Sequence, residues 1–177
     1  MRFELKNSRT GEEIKEFLTT VEMIKTETEL SFEFICKNSK FFSACNEYNG
    51  PIFDGDVCEA FLCTGGDTSW YYEIEVAPNN CVFLSKIHNT GDGNFEEFHI
   101  DEKDNFIKSE VEILSDTDYR VKFLMPLDKI GYDEKIGILG NIYRIETEGG
   151  ITDKNLLAAN PTLCDTFHQP KAFIKLI

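Results

Sequence analysis

The chain has 177 residues, 41% of them hydrophobic and 12% aromatic, which is enough apolar material for a folded globule with a sizeable core and excludes a disordered linker. Against 32 Asp and Glu there are 18 Lys and Arg, for a net charge of −14; that field repels phosphate backbones and anionic lipid, so nucleic acid and membrane surfaces are poor partners, while neutral ligands and cations are not penalised. No apolar run approaches the ~20 residues that span a bilayer, and the N-terminal MRFELKNSRTGEE lacks a secretory h-region, so the sequence as it stands reads as cytoplasmic.

Residues 1–5 read as a short strand, and 12–17 as a strand or one helical turn. Over 28–36, Leu30, Phe32, Phe34 and Cys36 alternate with Glu29, Ser31 and Glu33, the mark of an antiparallel strand with one buried face. Residues 41–45 read as another short strand and 46–55 as an ordered loop around Tyr48, Pro51 and Phe53. A β-hairpin follows: 57–64 is an apolar, β-favouring run, Gly65, Gly66 and Asp67 supply turn chemistry, and 69–77 alternates with period two. On its second strand Trp70, Tyr72, Ile74 and Val76 share the face assigned to the core, while Ser69, Tyr71, Glu73 and Glu75 share the other. On its first strand Glu59 shares a side with Val57 and Phe61. A carboxylate there sits at the sheet rim or is held for a purpose, because an unpaired buried charge is costly.

Beyond the turn at 79–80, residues 81–88 read as a strand and 89–94 (NTGDGN) as a loop. Residues 107–114 and 119–125 alternate as two antiparallel strands joined at Ser115 and Asp116, with Arg120 and Lys122 outward. Pro126 and Gly131 frame one helical turn, 136–146 returns to strand, and 172–177 closes a sheet. About ten short strands, with no long amphipathic helix, predict an all-β antiparallel sandwich, jelly-roll or immunoglobulin-like, as a single domain over 1–177. The six cysteines form no CxxC pair and no zinc spacing. They read as reduced thiols packing as small hydrophobes, since a disulfide framework would require export.

Several segments recur in a familiar order: Gly55, Asp56, Glu59 and Phe61; Tyr71, Tyr72, Val76 and Pro78; Asn141, Tyr143 and Arg144; then Pro161, Thr162, Phe167, His168, Pro170 and Phe173. Across roughly 28–177 this order resembles the family-nine carbohydrate-binding modules, within the wider DOMON-like β-sandwiches. The resemblance implies non-catalytic binding of a mono- or oligosaccharide, often beside a glycoside hydrolase, with calcium bound in some members. In the best-understood members the sugar is clamped between two tryptophans and hydrogen-bonded by Arg, Asn, Gln and Glu. Here the only tryptophan is Trp70, and the stretch before Pro161 reads Leu157, Ala158, Ala159 and Asn160.

From the residues themselves, a sugar needs an aromatic platform for its CH face and planar side chains for its hydroxyls. Arg144, Asn141 and Glu59 suit the second role, and Tyr71 and Tyr143 the first; with Glu73 and His168 they make up the candidate ligand-binding set. Arg144 is expected to orient the sugar and to rest on Glu59 when the site is empty; the alternative is a structural Arg144–Glu59 ion pair at the sheet rim. Asp54 and Asp56, with Glu59, could hold calcium, as could Asp101, Glu102 and Asp104; the alternative is a solvated acidic loop. Two enzyme readings remain open: a glycosidase using Glu59 and Glu73, and a Cys164 nucleophile with His168. A haem-binding module would recruit Met125 with one of the histidines.

Overall fold

The computed structural model describes residues 1–91, 94–152 and 154–177, and among these it contains strands and single 3-10 turns but no α-helix. Numbered in chain order, one sheet runs β1 (Arg2–Glu4), β3 (Thr19–Lys25), β4 (Glu29–Cys36), β10 (Tyr119–Pro126), β9 (Lys108–Ile113). The other runs β2 (Lys6–Asn7), β12 (Asn155–Ala158), β11 (Leu139–Glu146), β5 (Val57–Cys63), β6 (Trp70–Val76), β7 (Val82–Asn89), β8 (Phe95–His99), and β13 (Ile174–Lys175) pairs with the start of β11. The pairings are antiparallel throughout, and the two sheets pack face to face as the expected sandwich.

The smaller sheet follows its alternation. Leu30, Phe32, Phe34 and Cys36 on β4 point inward, as do Tyr119, Val121, Phe123 and Met125 on β10. The Phe123 ring lies 5.3 Å from Phe32 and 5.7 Å from Phe34. Each such ring or branched side chain removed from water contributes about 1.5–3 kcal/mol. The outward positions carry charge, with Lys122 opposite both Glu33 and Glu110.

The larger sheet is covered on both faces. All seven residues of β5 are buried, and because a strand alternates its side chains, neither face can be open there. Cys58, Ala60 and Leu62 join the inter-sheet core, while Val57, Phe61 and Cys63 join a second cluster with Tyr71, Phe83, Tyr143 and Phe167. That outer cluster is roofed by the C-terminal segment 160–173 and the 3-10 turn Ile52–Asp54. Gly140 lets β11 lie close against β5, since a Cβ there would collide with the Phe61 carbonyl.

Several local expectations change. Trp70 is 37% exposed rather than core, because it opens β6 at the end of the sheet, stacked on His88 at 4.2 Å. Residues 41–45 form no strand: Phe41 has φ 56° and the Phe42 amide is taken by Asp56. The stretch 12–17 has one bridge, Glu13 to Lys6, and of 126–131, Pro126 ends β10 while 127–131 forms turns in place of a helical turn. Of the expected loop 89–94, Asn89 ends β7, and positions 92 and 93 lie outside the described residues. Strands β2, β3, β8 and β12 come from stretches with no predicted element; β8 has all five residues exposed and so no buried face to betray it.

Candidate functional site

The outer face of the larger sheet carries three carboxylates side by side. Register places Glu59 directly opposite Glu75, and Glu73 lies two residues along β6 on the same face, opposite Phe61. One oxygen from each lies within 4.8 Å of the other two, and Glu59, Glu73 and Glu75 are 1%, 5% and 2% exposed. They floor a cleft of about 300 Å³ whose walls include Phe53, Phe95, Phe167 and His168, with Lys154 and Arg9 at its margin. Phe53 and Phe95 keep 37% and 40% of their surface open. The Phe95 ring stacks on His168 at 3.8 Å, and Phe53 packs edge-on against Phe83.

This floor is electrostatically unusual. Each of the three carboxylates has an oxygen without a hydrogen-bond partner. Burial pushes all three carboxyls well above the ordinary range, and like-charged neighbours add to it: Glu73 on Glu59, Glu75 on Glu73, and Glu59 on Glu75. The nearby Lys154 ammonium is already held by Asp54 at 3.0 Å and by the Phe53 carbonyl at 2.9 Å. Arg9 is tied to Asp165 and to the Lys154 carbonyl.

His168 supports one wall. Burial pushes its pKa down to about 4, so the ring is neutral near pH 7. Its Nδ1 lies 2.8 Å from the Tyr71 hydroxyl, and Asn89 Nδ2 donates to that same oxygen at 3.5 Å. With Nδ1 accepting the Tyr71 proton, the neutral ring carries its N–H on Nε2, 3.7 Å from Glu73 Oε1.

Of the predicted site residues, Glu59 and Glu73 lie on the cleft floor and His168 in its wall. Tyr71 and Tyr143 share that face but are buried beneath it: Tyr71 stacks on Phe61, and Tyr143 stacks on Phe167 at 4.1 Å and donates its hydroxyl to the Phe167 carbonyl. They are supports and not platforms. Asn141 fastens the C-terminal segment, donating to the carbonyls of Asn160 and Ala172 and accepting from the Asn160 amide.

Arg144 requires a correction. It pairs with Cys58 across β11 and β5, on the opposite face from Glu59, and is fully buried between the sheets. Its guanidinium donates to Glu146 and to Thr19 Oγ1, and lies over the Tyr119 ring. Neither the expected rim pair with Glu59 nor direct contact with a ligand in the cleft is compatible with that side of the sheet.

The calcium assignment at Asp54 and Asp56 does not fit either. Asp56 is fully buried and accepts four hydrogen bonds, from Ser39 Oγ, the Phe42 amide, and the Thr147 amide and hydroxyl, so no lone pair is free to reach a metal. Asp54 is engaged with Lys154. Asp101 pairs with Lys103 at the start of an exposed 3-10 turn that includes Glu102 and Asp104. Met125 is buried in the inter-sheet core, across the sheet from His168, and does not suit haem. The Cys164 thiol donates to the Thr166 carbonyl and the two His168 nitrogens face Tyr71 and Glu73, so no thiol–imidazole pair forms.

Sequence reasoning missed Glu75, Phe53 and Phe95. Glu75 was within reach, since it shares a face with Glu73 and stands opposite Glu59 in the hairpin. Phe53 and Phe95 enter from a turn and from an exposed strand, whose placement no local pattern specifies.

No family model matches the chain. An extracellular protein of Arthroderma benhamiae is 35% identical over 74 residues, which span 40% of this chain and only 33% of that protein. That finding corrects the cytoplasmic expectation, because it points away from the cytosol. Among solved structures, a proposed carbohydrate-binding protein of Bacteroides uniformis superposes with a TM-score of 0.78 at 13% identity, covering 98% of this chain and 84% of that one. A family 9 carbohydrate-binding module of Caldicellulosiruptor kristjanssonii in complex with glucose gives 0.57 at 13% identity, covering 97% and 82%. A structure of such a module with cellotriose gives 0.60 at 12% identity, covering 98% and 79%. These likenesses carry no information on the wider DOMON-like grouping. Identities this low speak for the backbone and not for the site, and what they show is that the chain has the β-sandwich fold of the family 9 carbohydrate-binding modules.

Proposed function

We propose that the cleft over Glu59, Glu73 and Glu75 binds a mono- or oligosaccharide without chemically altering it. One observation carries the reading: a buried floor of hydrogen-bond acceptors with unpartnered oxygens lies between two half-open phenylalanine rings. Sugar hydroxyls are donors that satisfy such acceptors, and the CH face of a pyranose packs on an aromatic ring. The fold shared with modules holding glucose and cellotriose supports the same ligand class. The extracellular relative supports a role outside the cytosol, where free saccharide is met.

Calorimetric titration with glucose and cellotriose tests the proposal. Saturable binding is expected, weakened at least tenfold in Phe53→Ala and in Phe95→Ala, with aryl glucosides and xylan left intact. Absence of binding to these sugars and across a glycan array, or binding that survives both ring truncations in folded protein, overturns it.

A further inference from the structure

The three carboxylates present a problem that a neutral sugar does not solve alone. Glu59, Glu73 and Glu75 are buried together with no cation committed to them, since Lys154 and Arg9 are engaged with Asp54 and Asp165. Ionised side by side they repel strongly, and kept protonated they would be poor acceptors. A second group stands beside them on the same face. Ser85 stands opposite Glu73 in the β6–β7 register, hence on the same face; it is fully buried, and its hydroxyl has no partner. Four adjacent side chains thus offer only oxygen, each with an unpartnered atom.

We propose that Glu59, Glu73 and Glu75, assisted by Ser85, bind a divalent cation of the calcium class at the floor of the cleft. Oxygens around calcium lie about 2.3–2.6 Å from the ion, so two ligands of one ion stand up to about 5 Å apart. The three carboxylate oxygens meet that limit, being within 4.8 Å of one another. Calcium also accepts irregular shells of six to eight oxygens, which suits carboxylates from two neighbouring strands better than the rigid octahedron that magnesium demands. Zinc favours nitrogen and sulfur, whereas the three carboxylates and Ser85 present only oxygen. One ion would offset the repulsion among the three carboxylates and leave part of its shell open to the cleft.

The site shares its cleft with the proposed saccharide but is tested without any, so either reading can fail alone. Chelator-treated, dialysed protein is titrated with calcium chloride, with melting temperature followed in parallel. One saturable site is expected, together with a calcium-dependent rise in melting temperature. Glu59→Gln, Glu73→Gln and Glu75→Gln should each weaken binding at least tenfold, and Ser85→Ala by less. Asp101→Asn, in the exposed acidic turn, should bind as wild type. The Gln variants remove repulsion and should fold, which circular dichroism checks. Three results overturn the proposal: no binding at millimolar calcium; binding unchanged in the Gln variants; or zinc bound in preference and lost in His168→Ala.

Discussion

The two faces of the larger sheet bury charge in opposite ways. On the inner face Arg144 meets Glu146, Thr19 and the Tyr119 ring, so a positive group and a negative one offset each other between the sheets, with Arg144 Nε and the Tyr119 hydroxyl left without a partner. On the outer face, one strand away, Glu59, Glu73 and Glu75 gather three negative groups with unpartnered oxygens. The first arrangement balances its charges between the sheets and serves the fold. The second opposes folding by itself and makes physical sense as a receptor, whose missing partners arrive from outside. Burial alone therefore does not mark a functional residue; burial without a partner, facing a cavity, does.

The largest effect that would break this contrast is expected on the inner face. Arg144→Ala leaves Glu146 buried and uncompensated, and removing one member of a buried pair costs about 3–5 kcal/mol. Urea denaturation should show that loss, with Arg144→Lys intermediate because ammonium cannot reproduce the fork. If folded Arg144→Lys protein loses saccharide affinity tenfold, the inner face takes part in binding and the contrast fails.

Next is Asn141, which fastens the segment carrying Phe167 and His168. Asn141→Ala leaves buried groups unsatisfied and should cost about 1–3 kcal/mol. It should also weaken saccharide binding, because the cleft wall loosens; unchanged stability in thermal melts would show that the segment is held by its other contacts.

A smaller effect sharpens the outer face. The carboxyls of Glu59 and Glu75 are raised in the folded protein, so the stability they contribute is fully present below their unfolded pKa of about 4.5 and is lost as pH rises through the folded values. His168, lowered to about 4, acts in the opposite sense, its contribution being lost as pH falls from 6.5 toward 4. Glu73, Glu97, Lys154 and Tyr71 face the same groups. In chelator, Glu59→Gln should melt about 2–4 °C above wild type at pH 8, roughly 1 kcal/mol for a chain of this size, and the difference should shrink at pH 5. A Gln variant less stable than wild type at pH 8 would mean that the carboxylates have a partner in the empty protein. The smallest effect is expected from Trp70→Phe, which lies on neither binding surface and should leave saccharide affinity within twofold.

Much of the fold was legible because period two is a local signal. The Leu30–Phe32–Phe34 alternation, the hairpin of Glu59 and Glu73, and the Tyr119–Met125 strand all appear where the pattern put them. Strands without an alternating buried face, β8 and β2, left no such trace. The carbohydrate-binding-module likeness also came from the order of short motifs, although their residues turn out to divide between cleft and scaffold.

By itself the sequence determined that Tyr71, Glu73 and Glu75 share one face of the second hairpin strand and that Glu59 sits on one side of the first with Val57 and Phe61, since alternation sorts side chains within a strand; the register that sets Glu59 opposite Glu75 is read from the structure. Only the tertiary structure decided what that surface meets. Alternation sorts residues into two sets but is blind to which set faces the second sheet, and here both sets are buried, one by five strands and the other by the strap at 160–173. Arg144 went to the inner side and found Glu146. The three glutamates went under the strap, where Phe53 and Phe95, distant in the chain, close a cleft around them.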